Sequence, residues 1–129
     1  MIMNATGQLG TEDRIVLIWE NPNPTSQFEP QTVKITDHIV SRSSASEFYI
    51  VALSKITDGV ISTSVVLNHM PDLTQKIVVS DSTSLYTRSV TINYNEFVFT
   101  SGYCDVFDSN TPIQGGPGNA IPLRIYAVR

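Results

Sequence analysis

The chain carries a single cysteine, Cys104, among its 129 residues. It can form no internal disulfide, so its fold does not rest on an oxidising compartment. Charge is scarce as well: Asp, Glu, Lys and Arg make up 16% of the residues, against roughly 25% in ordinary soluble domains. The 8 basic residues stand singly along the chain and the formal net charge is −4. That excludes the clustered positive footprint of a nucleic-acid binder. No run approaches the roughly 18 consecutive apolar residues of a membrane helix, so no membrane insertion is expected. The start, Met1-Ile2-Met3-Asn4-Ala5-Thr6-Gly7, has no charged segment ahead of an apolar stretch. No signal peptide is read there, and synthesis in a cytoplasm is expected. Asn4-Ala5-Thr6 fits a glycosylation sequon, which without a secretory route is a chance match.

In place of charge the chain has hydroxyls. Ser and Thr together make up about a fifth of it; Thr favours strands, and a charge-poor hydroxyl surface suits close contact with neighbours. At this length the whole of 1–129 is expected to be one domain that buries a core without disulfide or metal. No segment holds a 3.6-residue apolar period. Apolar residues instead come in short runs or alternate, and β-branched types dominate them. The pattern predicts strands over 14–19, with Ile15, Val16, Leu17 and Ile18 continuous and buried on both faces, and over 31–36. It predicts a hairpin of 47–55 with 60–67 around the tight-turn pair Asp58-Gly59, then a strand over 76–80. A second hairpin over 85–100 reverses at Asn95 and places Tyr86, Arg88, Val90, Ile92 and Tyr94 on one face. Residues 105–120 read as a long loop ending in Gly115-Gly116-Pro117-Gly118, and 121–128 is the last strand. Residues 41–46 form a polar connection. Between the first two strands, Asn21-Pro22-Asn23-Pro24 removes backbone donors, so about 20–30 is a Pro-rich extended arm with Phe28 as its anchor. The sum is about eight short strands separated by turn signals, the pattern of an all-β sandwich or jelly-roll-like fold.

Catalytic and metal patterns are weak. His38 and His69 are far apart, with no further ligands close by in sequence, and zinc needs three or four; no metal and no cofactor are expected. Cys104 has no adjacent base and reads as a small packing residue. The Gly115–Gly118 cluster lacks the Lys-Ser/Thr ending of a phosphate loop. Asp105, Asp108, Ser109 and Asn110 could offer oxygens to calcium, but their spacing is not that of an EF-hand, and a polar loop is the simpler reading. Trp19, Tyr103, Phe107 and Tyr126 are possible sugar platforms, although rings on half-buried strands usually belong to the core. Residues 102–120 are therefore the candidate contact surface, through Tyr103, Asp105, Phe107, Asp108 and Asn110; long loops without regular structure are often functional.

Three stretches carry a resemblance: Leu17-Ile18-Trp19-Glu20-Asn21-Pro22-Asn23-Pro24-Thr25-Ser26-Gln27-Phe28 with Gln31-Thr32-Val33; Arg88-Ser89-Val90-Thr91 leading to Phe99 and Gly102-Tyr103; and Ile121-Pro122-Leu123-Arg124-Ile125-Tyr126. In this order they resemble a group of short proteins encoded among the virion structural genes of phages and prophages of gut bacteria. The resemblance implies a non-enzymatic β-rich component of the virion, in a tail, a fibre or a head decoration. It also implies homo-oligomers, with a trimer favoured, and contact with other virion proteins or a host-surface glycan. It carries no catalytic residues. Two other classes stay open: a free carbohydrate-binding module with an exposed aromatic platform, and a small hydrolase on a jelly-roll scaffold, for which no convergent set of titratable residues is visible.

Overall fold

The computed structural model describes residues 15–35, 47–67, 73–93, 95–108 and 110–128. His38, His69, Tyr94, Ser109, the sequon at Asn4 and the polar connection 41–46 lie outside them. Within the described residues the chain is an all-β sandwich of nine strands: β1 (Ile15–Glu20), β2 (Gln31–Lys34), β3 (Glu47–Lys55), β4 (Ile61–Leu67), β5 (Thr74–Ser80), β6 (Ser84–Asn93), β7 (Glu96–Val106), β8 (Gln114–Gly116) and β9 (Asn119–Val128). One antiparallel sheet runs β1-β9-β3-β4. The other runs β2-β7-β6-β5, with β8 also paired to β7. Since β6 occupies one side of β7, β2 and β8 share the other: β2 pairs with 96–99 and β8 with 102–104.

Alternation decides which side chains meet between the sheets, because successive residues of a strand point to opposite faces. On β6, Ser84, Tyr86, Arg88, Val90 and Ile92 are buried in strict alternation. On β3, Phe48, Ile50, Ala52 and Ser54 face inward. Phe48 meets Phe97 of β7 edge-on at 4.9 Å between ring centroids, and Phe28 meets Phe99 in the same way at 5.5 Å. The β3–β4 turn forms as Asp58-Gly59 predicts. Asp58 takes a positive φ of 55°, and a Cβ on Gly59 would run into the Lys55 carbonyl, so glycine is required there. Ser54 fastens the turn by donating its backbone N–H to Val60 O at 2.9 Å and accepting the Val60 N–H at Oγ, also 2.9 Å.

Three expectations need correction. β1 is not buried on both faces: it is an edge strand, and Ile15 and Leu17 point outward at 51% and 46% exposure. Residues 105–120 are not one long loop. β7 continues to Val106, Gln114–Gly116 pairs with Tyr103's stretch of β7 as β8, and Pro117-Gly118 is a short turn into β9. Glycines in a strand weaken it unless a neighbour covers them; here the Tyr103 ring lies over Gly115, within 3.0 Å of where a Cβ would stand. Finally, the strand expected from Lys76 begins at Thr74.

Candidate functional site

The arm between β1 and β2 crosses from one sheet to the other, and its first residue explains how. Asn21 extends the β1–β9 pairing by one step, donating its N–H to Leu123 O at 2.8 Å and its Nδ2 to Pro122 O at 2.8 Å. Its Oδ1 then accepts the Asn23 N–H at 2.8 Å, an Asx-turn that bends the chain away from the ladder. Pro22 and Pro24 have no N–H to continue it. The arm ends with the Phe28 N–H on Pro117 O, 2.9 Å. Phe28 is 4% exposed and sits edge-on to both Trp19 and Phe99. It therefore anchors the arm to its own domain and is not free to plug a neighbouring subunit.

Beneath Phe28 lies Arg88, fully buried on the inward face of β6. Opposite it, β7 bulges: Gly102 pairs with Arg88 and Phe99 with Val90, so Thr100 and Ser101 share one step. The bulge turns the Thr100 carbonyl inward, and the β8–β9 turn brings three more. Arg88 donates Nη1 to Thr100 O (2.6 Å), Nε to Ala120 O (2.9 Å) and Nη2 to Asn119 O (2.8 Å) and Pro117 O (3.2 Å). Its guanidinium carbon lies 5.2 Å from the Phe28 ring centre, a cation–π contact. Burial lowers its pKa to about 10, with Glu29 working the other way; the group stays charged at neutral pH. Only a planar cation with five donors can answer carbonyls converging from several directions. Gly102 lets the turn come this close, since a Cβ there would strike the Asn119 carbonyl.

On the outer side of the same arm is an open cleft of about 270 Å³, lined by Trp19, Asn23, Gln27, Phe28, Gln31 and Lys34 among others. Gln31 Nε2 donates to Glu29 O at 3.0 Å, leaving its carbonyl free. Among the described residues, nothing engages the side-chain polar atoms of Asn23, Gln27 or Lys34.

The residues singled out on 102–120 fall into two groups. The bulge reverses the phase of β7, so Tyr103 and Asp105 share its outward face, and Phe107 follows just past the strand end; Tyr103 and Phe107 are 44% and 60% exposed. Asp108 and Asn110 belong to the following turn. Asp108 Oδ1 accepts the N–H groups of Asn110 (2.9 Å) and Thr111 (2.7 Å), and Oδ2 accepts the Thr111 hydroxyl (2.9 Å). These bonds, the Asn110 N–H foremost, hold its carboxyl below the usual range. Both oxygens of Asp108 thus shape the loop itself. Among the described residues no three His, Cys, Asp or Glu side chains gather as a metal site. Cys104 is half-buried against the core, opposite Tyr86.

A further surface was not read from the sequence. Lateral register on the outer face of the β1-β9-β3-β4 sheet aligns Leu17, Tyr126, Tyr49 and Val65 in one row across all four strands. The next row holds Ile15, Val128, Glu47 and Leu67. Leu17 and Val65 are exposed, and Tyr49 donates its hydroxyl to Glu47 Oε1 at 3.3 Å. An outward sheet face is ordinarily polar, and a contiguous apolar one marks an interaction surface. No protein-family model matches the chain, and no curated protein or solved structure matches it significantly.

Proposed function

We propose that the chain is a non-enzymatic structural subunit of a phage particle, a head-decoration, head-fibre or tail component, that self-associates through the outer face of its β1-β9-β3-β4 sheet. The observation that carries this reading is the apolar row Leu17–Tyr126–Tyr49–Val65 on a face that solvent would normally keep polar. The resemblance of the arm, the Arg88 stretch and the last strand to virion components points the same way. A second copy is the favoured occupant on grounds of charge. Two chains of net charge −4 repel at long range, which favours contact through an uncharged patch, and the Leu17–Tyr126–Tyr49–Val65 row carries no charge. The sparse charge of the whole surface fits a protein crowded against neighbours.

Light scattering on the purified chain tests the reading. The expected mass is a multiple of the 14.2 kDa chain, with the trimer favoured. Placing lysines at Leu17 and Val65 should reduce it to the monomer without loss of fold. A wild-type chain that stays monomeric at high concentration would end the proposal. Genes for portal, tail or lysis proteins on either side of this one would support its virion setting.

A further inference from the structure

We propose that the cleft beside the arm is a saccharide site, taking one or two sugar rings of a neutral glycan. This goes beyond the assembly reading above and uses a surface separate from the assembly face. The lining of the cleft matches a sugar in both its polar and its apolar parts. Asn23, Gln27 and Gln31 bring carboxamides, each with both a donor and an acceptor. A sugar hydroxyl is likewise donor and acceptor at once, so amides match it without a charge to desolvate. Trp19 supplies an aromatic wall, and the apolar C–H face of a pyranose packs on such a ring while its hydroxyls turn to the polar side.

Other ligand classes fit less well. No carboxylate lines the cleft, so it offers nothing to a cation, and Lys34 is its single charged group, too little for a polyanion. The volume of about 270 Å³ lies just below the roughly 300–1,000 Å³ of pockets for drug-sized ligands and suits a short glycan end. The walls are also held in place before any ligand arrives. Asn21 is bonded to β9 through its backbone and side chain, Pro22 and Pro24 restrict the arm, and Phe28 is clamped over Arg88. A site whose ordering is already complete loses less entropy on binding. The free amides of Asn23 and Gln27 contribute nothing visible to the fold, which leaves recognition as their use.

Trp19 is the single tryptophan of the chain, so its fluorescence reports this cleft and no other place. The full-length chain is first applied to a glycan array carrying neutral and acidic glycans, then titrated with the terminal disaccharide of the strongest neutral glycan retained. Expected is a saturable change in tryptophan emission that moderate salt does not weaken. The Asn23→Ala/Gln27→Ala double variant, altered only at exposed positions, should weaken binding about tenfold or more while unfolding at the same urea concentration. Retention of no glycan, retention of acidic glycans alone, or binding unchanged in the double variant would each overturn the site. The mass of the chain is read in parallel: an oligomer that binds no glycan removes this inference alone, and a monomer that binds one removes the assembly reading alone.

Discussion

The sandwich closes its two long edges by different chemistry. At one edge β4 and β5 lie side by side, and two short neutral side chains stand in for a ladder. Ser64 Oγ accepts the Val78 N–H at 2.9 Å and donates to Val78 O at 3.3 Å. Gln75 bridges Leu67, accepting its N–H at 2.9 Å and donating to its carbonyl at 3.0 Å. At the other edge the chain crosses between sheets twice, through the arm and through the β8–β9 turn. Carbonyls of Thr100, Pro117, Asn119 and Ala120 converge there, and a buried guanidinium answers them. The difference follows from the supply of donors. Parallel-lying edges each present N–H and C=O groups, so a single amide or hydroxyl satisfies both. A bulge and a turn that aim several carbonyls at one point leave an excess of acceptors, which only a multi-donor cation can meet.

If this is right, the two edges should differ sharply in cost when broken. Arg88→Ala strands buried carbonyls and opens a void under Phe28. A loss of about 3–5 kcal/mol is expected, a large share of the roughly 5–15 kcal/mol that holds a domain together. Urea unfolding followed by circular dichroism measures it. Arg88→Lys should recover only part, because an ammonium cannot fork to several directions. An Arg88→Ala chain with the wild-type urea midpoint would show that the buried guanidinium does not hold this edge. Gln75→Ala removes two neutral, partly solvated bonds and should cost about 1 kcal/mol, with faster hydrogen exchange at the Leu67 amide as its local mark. A cost equal to that of Arg88→Ala would mean that the edges are closed with equal strength.

The smallest effect separates the two regions by pH. In the turn from β5 to β6, Asp81 Oδ1 accepts the N–H of Thr83 (2.9 Å), the N–H of Ser84 (2.8 Å) and the Thr83 hydroxyl (3.0 Å). The Thr83 N–H foremost, with these other bonds, lowers the carboxyl below its ordinary value of 3.8. A depressed folded value means the ionised carboxylate stabilises the fold. That contribution is complete above the ordinary value and fades as pH falls through the folded one. Asp81→Ala should therefore be less stable than wild type at neutral pH and converge with it in strong acid. Arg88 stays charged over that whole interval, so the penalty of Arg88→Ala should not converge through titration of the arginine itself. Thermal unfolding of both variants between pH 7 and 2 distinguishes the two patterns; a constant Asp81→Ala deficit would show that the carboxylate has no part in it.

Much of the fold was legible because alternation is local. The inward set Phe48, Ile50, Ala52 and the set Tyr86, Arg88, Val90, Ile92 follow from the two-residue period of a pleated strand, and both hairpins form around Asp58-Gly59 and Asn95. The candidate site was much less so. Arg88 stood on the apolar face of its strand, which was the one visible signal of its role, but its four carbonyl partners come from residues 100–120 and no sequence pattern joins them to it. Tyr103 and Asp105 do share a face, for a reason invisible in sequence: the bulge at Thr100 and Ser101 shifts the phase of β7.

Local pattern therefore fixed the all-β class, both hairpins and the inward sides of β3 and β6, since these depend on neighbours two residues apart. Tertiary structure alone decided which strands became edges. The run Ile15 to Ile18 reads as fully buried, yet β1 found a partner on one side only. It also decided that Gln114-Gly115-Gly116 pairs as a strand under the Tyr103 ring, and that an arginine could lie in the core and hold an arm whose outer side is a cleft. Each of these depends on the order in which distant strands lie together, and on backbone carbonyls brought to one point by chain crossings that no local period encodes.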